Sequence, residues 1–236
     1  MKAPTMRDRS SPNHDARPDG TPIDMLVLHY TGMKSGGDAL DRLCDPAAKV
    51  SSHYCIEEDG TVWRLVPEDR RAWHAGVSCW RGASDVNARS IGIELVNPGH
   101  DWGYRPFPEP QMQSLTDLAQ AILGRHPIPA RNVVGHSDVA PARKADPGEL
   151  FDWRRLAGRG IGIWPGPLQP PRAMTEADAL GLLAHIGYDA KAALPGQGVL
   201  ATLLLAFQRR FRQARVDGRL DDETASLIWA VGRACS

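Results

Sequence analysis

Apolar positions along the chain follow two rhythms before about residue 165 and only one after it. "IDMLVLHYT" (23–31) is a short continuous apolar run that predicts a buried strand ending in His29. "SSHYCIEEDGTVWRLV" (51–66) splits into two β-rich halves around "EDG" at 58–60, which predicts a hairpin. In "SIGIELVN" (90–97), alternation puts Ile91, Ile93 and Leu95 on one face of a central strand, and Glu94 and Val96 on the other. "NVVGHSD" (132–138) predicts a further short strand that delivers His136 into a turn-rich loop, "GHSDVAPARKADPG" (135–148), whose prolines argue against a long helix. Between these strands, "EPQMQSLTDLAQAILGRH" (109–126) steps by three and four through Met112, Leu115, Leu118, Ala119 and Ile122. That is an amphipathic helix with Gly124 as its stop. A fainter helical pattern covers 36–44, and the charged, Pro-containing residues 1–20 predict an extended, loosely ordered start.

Strands with interposed helices in this order give an α/β or α+β domain. The pattern changes at "WPGPLQPPRAM" (164–174), where four prolines predict a stiff linker. Beyond it only the helical rhythm remains. "TEADALGLLAHIGY" (175–188) opens on a Thr cap, and "GVLATLLLAFQRRF" (198–211) aligns Leu200, Leu203, Leu204, Phe207 and Phe211. "VDGRLDDETASLIWAV" (216–231) turns at Gly218 before a helix that begins at Asp221 or Asp222. The expected division is a domain over 1–165, a linker over 166–174 and a small three-helix domain over 175–236.

A chain of 236 residues suits one or two domains with an ordinary core. Its 28 basic and 28 acidic side chains balance, which argues against a nucleic-acid binder and leaves neutral or mixed-charge substrates open. Cys44, Cys55, Cys79 and Cys235 show no CxxC spacing, so a Cys-rich zinc ribbon is excluded; buried thiols are preferred over disulfides. The absence of an apolar run of about 18 residues predicts no transmembrane helix. The N-terminus lacks the apolar stretch of a secretory signal, so the expectation is a cytosolic chain or one that begins after a removed leader.

Candidate chemistry gathers at strand ends. His29 closes one central strand, His136 closes another, and Asp146 follows ten residues later across a loop with two prolines. A hydrolytic zinc takes three such ligands and keeps a fourth position for water. A His at a strand end is also a common surface or capping residue, and with eight histidines in the chain, spacing alone does not choose between these readings. Glu94 is a carboxylate in the middle of an apolar strand; burying it is costly unless it serves a site, and the alternative is a solvent-facing side chain. Lys144 lies two residues before Asp146, so in an extended segment both would face one pocket; the alternative is a solvated loop lysine.

Taken together, "VLHYTG", "SSHYCIEEDGTVWRLV", "AWHAGVSCWRG", "NARSIGIELVNPG" and "VVGHSDVAPARKADPGELFDW" resemble, in order and spacing, the zinc N-acetylmuramoyl-L-alanine amidases of the second amidase family. This family includes the AmpD and AmiD enzymes, phage T7 lysozyme and the peptidoglycan-recognition proteins. The resemblance spans roughly residues 11–165, and "FQRRFR…VDGRLDDET" resembles a small three-helix peptidoglycan-binding domain. The resemblance implies an α/β fold with a mixed central sheet flanked by helices. It implies Zn²⁺ held by His29, His136 and Asp146, with Glu94 as acid/base and Lys144 as the catalytic lysine. It also implies a substrate cleft bordered by Trp73, His74 and Asn87, and a structural part for His53. The implied reaction is hydrolysis of the amide between N-acetylmuramic acid, or its 1,6-anhydro form, and L-alanine. The alternatives are a non-catalytic recognition protein, against which the full ligand set argues, and a zinc peptidase for another amide. Peptidoglycan or muropeptides would be the partner, with no nucleic acid. A wall-binding domain favours the cell envelope, and the missing leader favours the cytoplasm.

Overall fold

The computed structural model describes residues 6–166, 173–192 and 196–235. In chain order the elements are β1 (Met6–Asp8), β2 (His14–Ala16), β3 (Met25–Tyr30), α1 (Gly36–Cys44), β4 (Tyr54–Ile56), β5 (Val62–Arg64) and β6 (Arg70–Ala72). Then follow α2 (Val86–Arg89), β7 (Ser90–Leu95), α3 (Gly99–Trp102), α4 (Glu109–Arg125), β8 (Val133–Gly135), α5 (His136–Val139) and α6 (Trp153–Ala157). The chain closes with α7 (Glu176–Ile186), α8 (Val199–Phe211) and α9 (Asp222–Ala234).

One sheet has the order β1-β5-β4-β7-β3-β8, and β2 pairs with β6 apart from it. β4, β7, β3 and β8 run parallel, β5 returns antiparallel from β4, and β1 lies parallel to β5. The fold is therefore α/β with a mixed central sheet, as the sequence led us to expect. Parallel strands covered on both faces must be apolar on both, which explains the unbroken run of β3. On one face Leu26, Leu28, Ile91, Ile93 and Leu95 pack with Met112, Leu115 and Ile122 of α4 and with Phe151 and Trp153. On the other, Met25, Val27 and Val134 join a cluster with Leu203, Phe207 and Ile228 of the C-terminal helices.

Local signals set the helix ends. Ser35 caps α1 and Asp221 caps α9 through their side chains, and Thr175 with Asp178 forms a capping box on α7. α4 opens with a proline in its first turn, where no N–H partner is lost, and runs one residue past Gly124. The loop expected after β8 opens instead as the four-residue helix α5, beginning at His136 itself.

Residues 6–8 and 14–16, expected to be loosely ordered, are paired in sheets. Ser11 Oγ donates to Leu43 O at 2.6 Å, and Asn13 Nδ2 donates to both Asp45 O and Val50 O at 2.8 Å. These links run through backbone and small polar groups, so no apolar pattern announces them. Residues 167–172 of the expected linker lie outside the described residues. Among the described residues the four cysteines are free thiols, and no helix is long and apolar enough to cross a membrane.

Candidate functional site

The register of the sheet assembles the site. His29 of β3 lies directly opposite Glu94 of β7, both near the carboxyl ends of parallel strands, where open α/β sheets place their ligands. His136 begins α5 directly after β8, the strand on the other side of β3. A Cβ on Gly135 would come within 2.7 Å of Pro147 Cδ, so the small residue before His136 lets the 146–147 segment close over β8. Ser137 N–H then donates to Asp146 O at 2.9 Å. The result is a tight cluster: His29 Nδ1 and His136 Nδ1 are 3.0 Å apart, and each is 3.1 Å from Asp146 Oδ2. All three side chains are buried.

The hydrogen bonds around the cluster assign the imidazole protons. Ser90 Oγ donates to Val86 O at 2.6 Å, so it accepts from His74 Nε2 at 3.1 Å. His74 Nδ1 is then an acceptor, and His29 Nε2 donates to it at 3.1 Å. His136 Nε2 donates to Ala75 O at 3.0 Å. In the neutral form of each ring Nδ1 then carries a lone pair, and both Nδ1 atoms face a carboxylate oxygen. Three acceptors converging in a buried site repel one another unless a cation sits among them. Ligands about 2.0–2.1 Å from a tetrahedral zinc stand about 3.3 Å apart, close to the separations found. The donor set, two neutral imidazoles and one carboxylate, therefore suits a zinc ion.

The electrostatics agree. Burial, and then the charge of His136, lowers His29 to about 4, so it is neutral near pH 7. Burial alone would raise Asp146, but His136 and His29, in their protonated forms, outweigh it through charge and hydrogen bonds and hold the carboxyl far below its usual range. Glu94 behaves oppositely: burial, then repulsion from Asp146, pushes it well above the carboxylate range, while Lys144 opposes the shift. Glu94 is half-buried, and its Oε2 is sealed from solvent without a hydrogen-bond partner. An unpaired buried carboxylate oxygen is rare outside reactive sites.

A cavity of about 460 Å³ opens over these groups. Tyr30, Trp73, His74, Glu94, His136, Lys144 and Asp146 are among its walls. Asn87 is not. Its Oδ1 accepts the backbone N–H groups of His74 and Ala75 at 3.2 and 2.8 Å, which fixes the segment whose carbonyl receives His136. His74 borders the cavity but is 8% exposed, with both ring nitrogens committed to His29 and Ser90. His53 lies beneath it, its Nδ1 accepting Gly92 N–H at 2.9 Å and its Nε2 3.1 Å from Arg70 O. Burial, and then Arg17, lowers His53 to about 3.

Sequence reasoning missed Ser90 and Arg143. Arg143 donates to Ala75 O at 2.9 Å and to Val77 O at 2.7 Å, tying the two loops that frame the cluster. Ser90 had a signal, since it shares the Glu94 face of β7 by the period-two rule. Arg143 had none beyond its place in the loop.

Comparison with known proteins gives concordant results. A profile of the N-acetylmuramoyl-L-alanine amidase family matches residues 19–149. The chain is 39% identical over 230 residues to the N-acetylmuramoyl-L-alanine amidase AmiD of Escherichia coli (strain K12), covering 89% of this chain and 82% of that protein. Its structure is similar to that of AmiD from E. coli in complex with anhydro-N-acetylmuramic acid-L-Ala-D-gamma-Glu-L-Lys, with a TM-score of 0.80 and 38% identity over 92% of this chain and 91% of the other. It is also similar to AmpDH3 from Pseudomonas aeruginosa in complex with an anhydromuramic pentapeptide, with a TM-score of 0.78 and 36% identity over 92% and 94% of the two chains.

Proposed function

The chain belongs to the N-acetylmuramoyl-L-alanine amidase family, and from that premise we propose that it hydrolyses the amide between N-acetylmuramic acid, or its 1,6-anhydro form, and the L-alanine of a stem peptide. The observation that carries the chemistry is the convergence of three buried acceptor atoms, at 3.0–3.1 Å, beside an unpaired carboxylate oxygen. The substrate class is supported by the muramyl peptides held by the two similar solved structures.

His29 Nδ1, His136 Nδ1 and Asp146 Oδ2 would hold the zinc ion, which when bound lowers the pKa of a water towards about 7 and polarises a carbonyl oxygen. Glu94 accepts a proton from the attacking water and returns it to the departing alanine nitrogen. Its raised pKa suits the second task, and the nearby charge of Lys144 favours the ionised form needed for the first. Lys144 donates to the substrate oxygen as negative charge develops there; loss of one such donor typically costs about 10²–10³ in rate. His74 and Ser90 keep the His29 proton on Nε2, and Ala75 O does the same for His136. Trp73 lines the same cavity and is proposed to contact the substrate, with Asn87 supporting that wall through the backbone.

For residues 175–236 we propose a wall-binding role as well, in the cell envelope where the polymer lies. Binding the polymer through a second unit would raise the local concentration of scissile bonds. The decisive experiment is mass spectrometry of products from a defined anhydro-muropeptide, with and without a chelator. The expected products are the free anhydro-sugar and a peptide with an unblocked L-alanine, formed only without chelator. Cleavage between amino acids of the stem would replace this reading with a peptidase, and no cleavage would replace it with recognition alone.

A further inference from the structure

The C-terminal helices reach into the turn that carries His136. Asp138, in the same turn of α5, is 1% exposed. Its Oδ2 accepts the backbone N–H of Gly135 at 2.8 Å and Arg210 Nη1 at 2.9 Å, and its Oδ1 accepts the Tyr188 hydroxyl at 2.6 Å. Arg210 Nη2 donates to Val133 O at 2.9 Å, and its guanidinium lies 4.3 Å from the Trp153 ring centroid. One planar fork thus spans the start of β8 and the first turn of α5, with His136 between the two anchor points. Tyr188 follows α7 and Arg210 sits on α8, so both grips come from the helical unit. Further along the loop, Gln213 Nε2 donates to Phe151 O at 2.5 Å, five residues beyond Asp146.

A buried Asp–Arg pair is a poor way to gain stability, because apolar side chains of similar volume would pack there without desolvating two charges. What the pair supplies is direction: fixed bonds to the strand before, and to the turn of, a four-residue helix too short to hold itself. We infer that the C-terminal helical unit braces the metal turn, with Tyr188 and Arg210 as positioning residues that act on His136 through Asp138. The inference rests on the reading of His29, His136 and Asp146 as a zinc set.

The test uses the full chain with Tyr188→Phe, with Arg210→Met, with Arg210→Lys, and with Arg210→Met combined with Asp138→Asn. The double change leaves no unpaired buried charge, so it and Tyr188→Phe report even if Arg210→Met fails to fold. The readouts are the rate of zinc loss to excess chelator, and kcat and KM at saturating zinc. In variants whose circular dichroism is that of the unaltered chain, zinc loss should accelerate about 10- to 100-fold, the usual scale for groups that orient a ligand. kcat should fall with KM unchanged. Arg210→Lys, which can reach one acceptor but not both, should recover part of the zinc retention. Folded variants that retain zinc within twofold of the unaltered chain would overturn the brace alone. An unaltered chain that takes up no zinc would overturn the zinc reading and the brace with it.

Discussion

A Cβ built on Gly92 would stand 2.5 Å from Cγ of His74. The ring can yield only by giving up its present bonds: His29 and Ser90 hold its nitrogens, and the His53 ring packs edge-on with centroids 5.7 Å apart. Gly92→Ala should therefore swing His74 away, free the second proton position of His29 and weaken zinc binding about 10- to 100-fold in a competition titration. Unchanged affinity would mean that His74 does not orient His29. Glu94→Gln tests a different link. It preserves shape and leaves the three metal-site atoms untouched, so zinc content by elemental analysis should stay full while turnover falls about 10²- to 10⁴-fold, the usual contribution of a general acid–base. Retained turnover would remove Glu94 from the reaction. The sequence alone pointed to His29, Glu94, His136, Lys144 and Asp146; the fold brings the last four to one cavity and buries His29 against His136 and Asp146. It could not show which nitrogen of each imidazole faces inward. That depends on the hydrogen-bond partners of Ser90, Asn87 and the carbonyl of Ala75, which only the fold brings into place.

Elements with a clear pattern were legible from residues alone: β3 from its unbroken apolar run, the β4–β5 hairpin from its β-rich halves around a turn, β7 from its alternation and α4 from its three-four stepping. β1 and β2 were not, because they pair through backbone while their side chains are mostly exposed, and α5 was not because one turn has no period. The join between the hairpin and α4 offers a pH test. Glu68, just past β5, accepts from the Tyr54 hydroxyl at 2.7 Å, from Arg125 at 2.6 Å and from His126 Nε2 at 2.6 Å. Burial alone would raise its pKa, but those partners outweigh it and bring it from 4.5 to about 2. A carboxylate depressed in the folded state stabilises fully above its unfolded value, and the stabilisation fades as pH falls toward the folded one. The unaltered chain should therefore melt higher than Glu68→Gln at neutral pH, and the gap should narrow as pH drops from about 5 to about 3. A gap that stays constant over that range would show that Glu68 contributes shape and not charge.

At the scale of the whole molecule, the question is whether the helical unit hangs from the amidase sheet or completes it. Val27 and Val134 of the sheet share one buried cluster with Leu183, Leu203, Phe207 and Ile228 of the three C-terminal helices. Tyr188 stacks edge-on against Trp80 with centroids 5.3 Å apart, and Arg81 donates to the carbonyls of His185 and Ile186 at 3.1 Å. A division of the chain at the proline-rich segment is plain in the sequence, but the apolar face that joins the parts is not. The inward residues of β3 and β8 look alike whichever helix covers them. Phe207 is fully buried at this junction, and Phe207→Ala should cost about 3–5 kcal/mol through lost burial and the cavity left behind. If the two parts share one core, calorimetry of the full chain should give a single transition, and the substitution should lower all of it by roughly 6–20 °C, at about 2–4 °C per kcal/mol for a protein of this size. Two transitions, with only the lower one moved by Phe207→Ala, would show instead that the helices melt on their own and that the shared cluster does not couple them to the sheet.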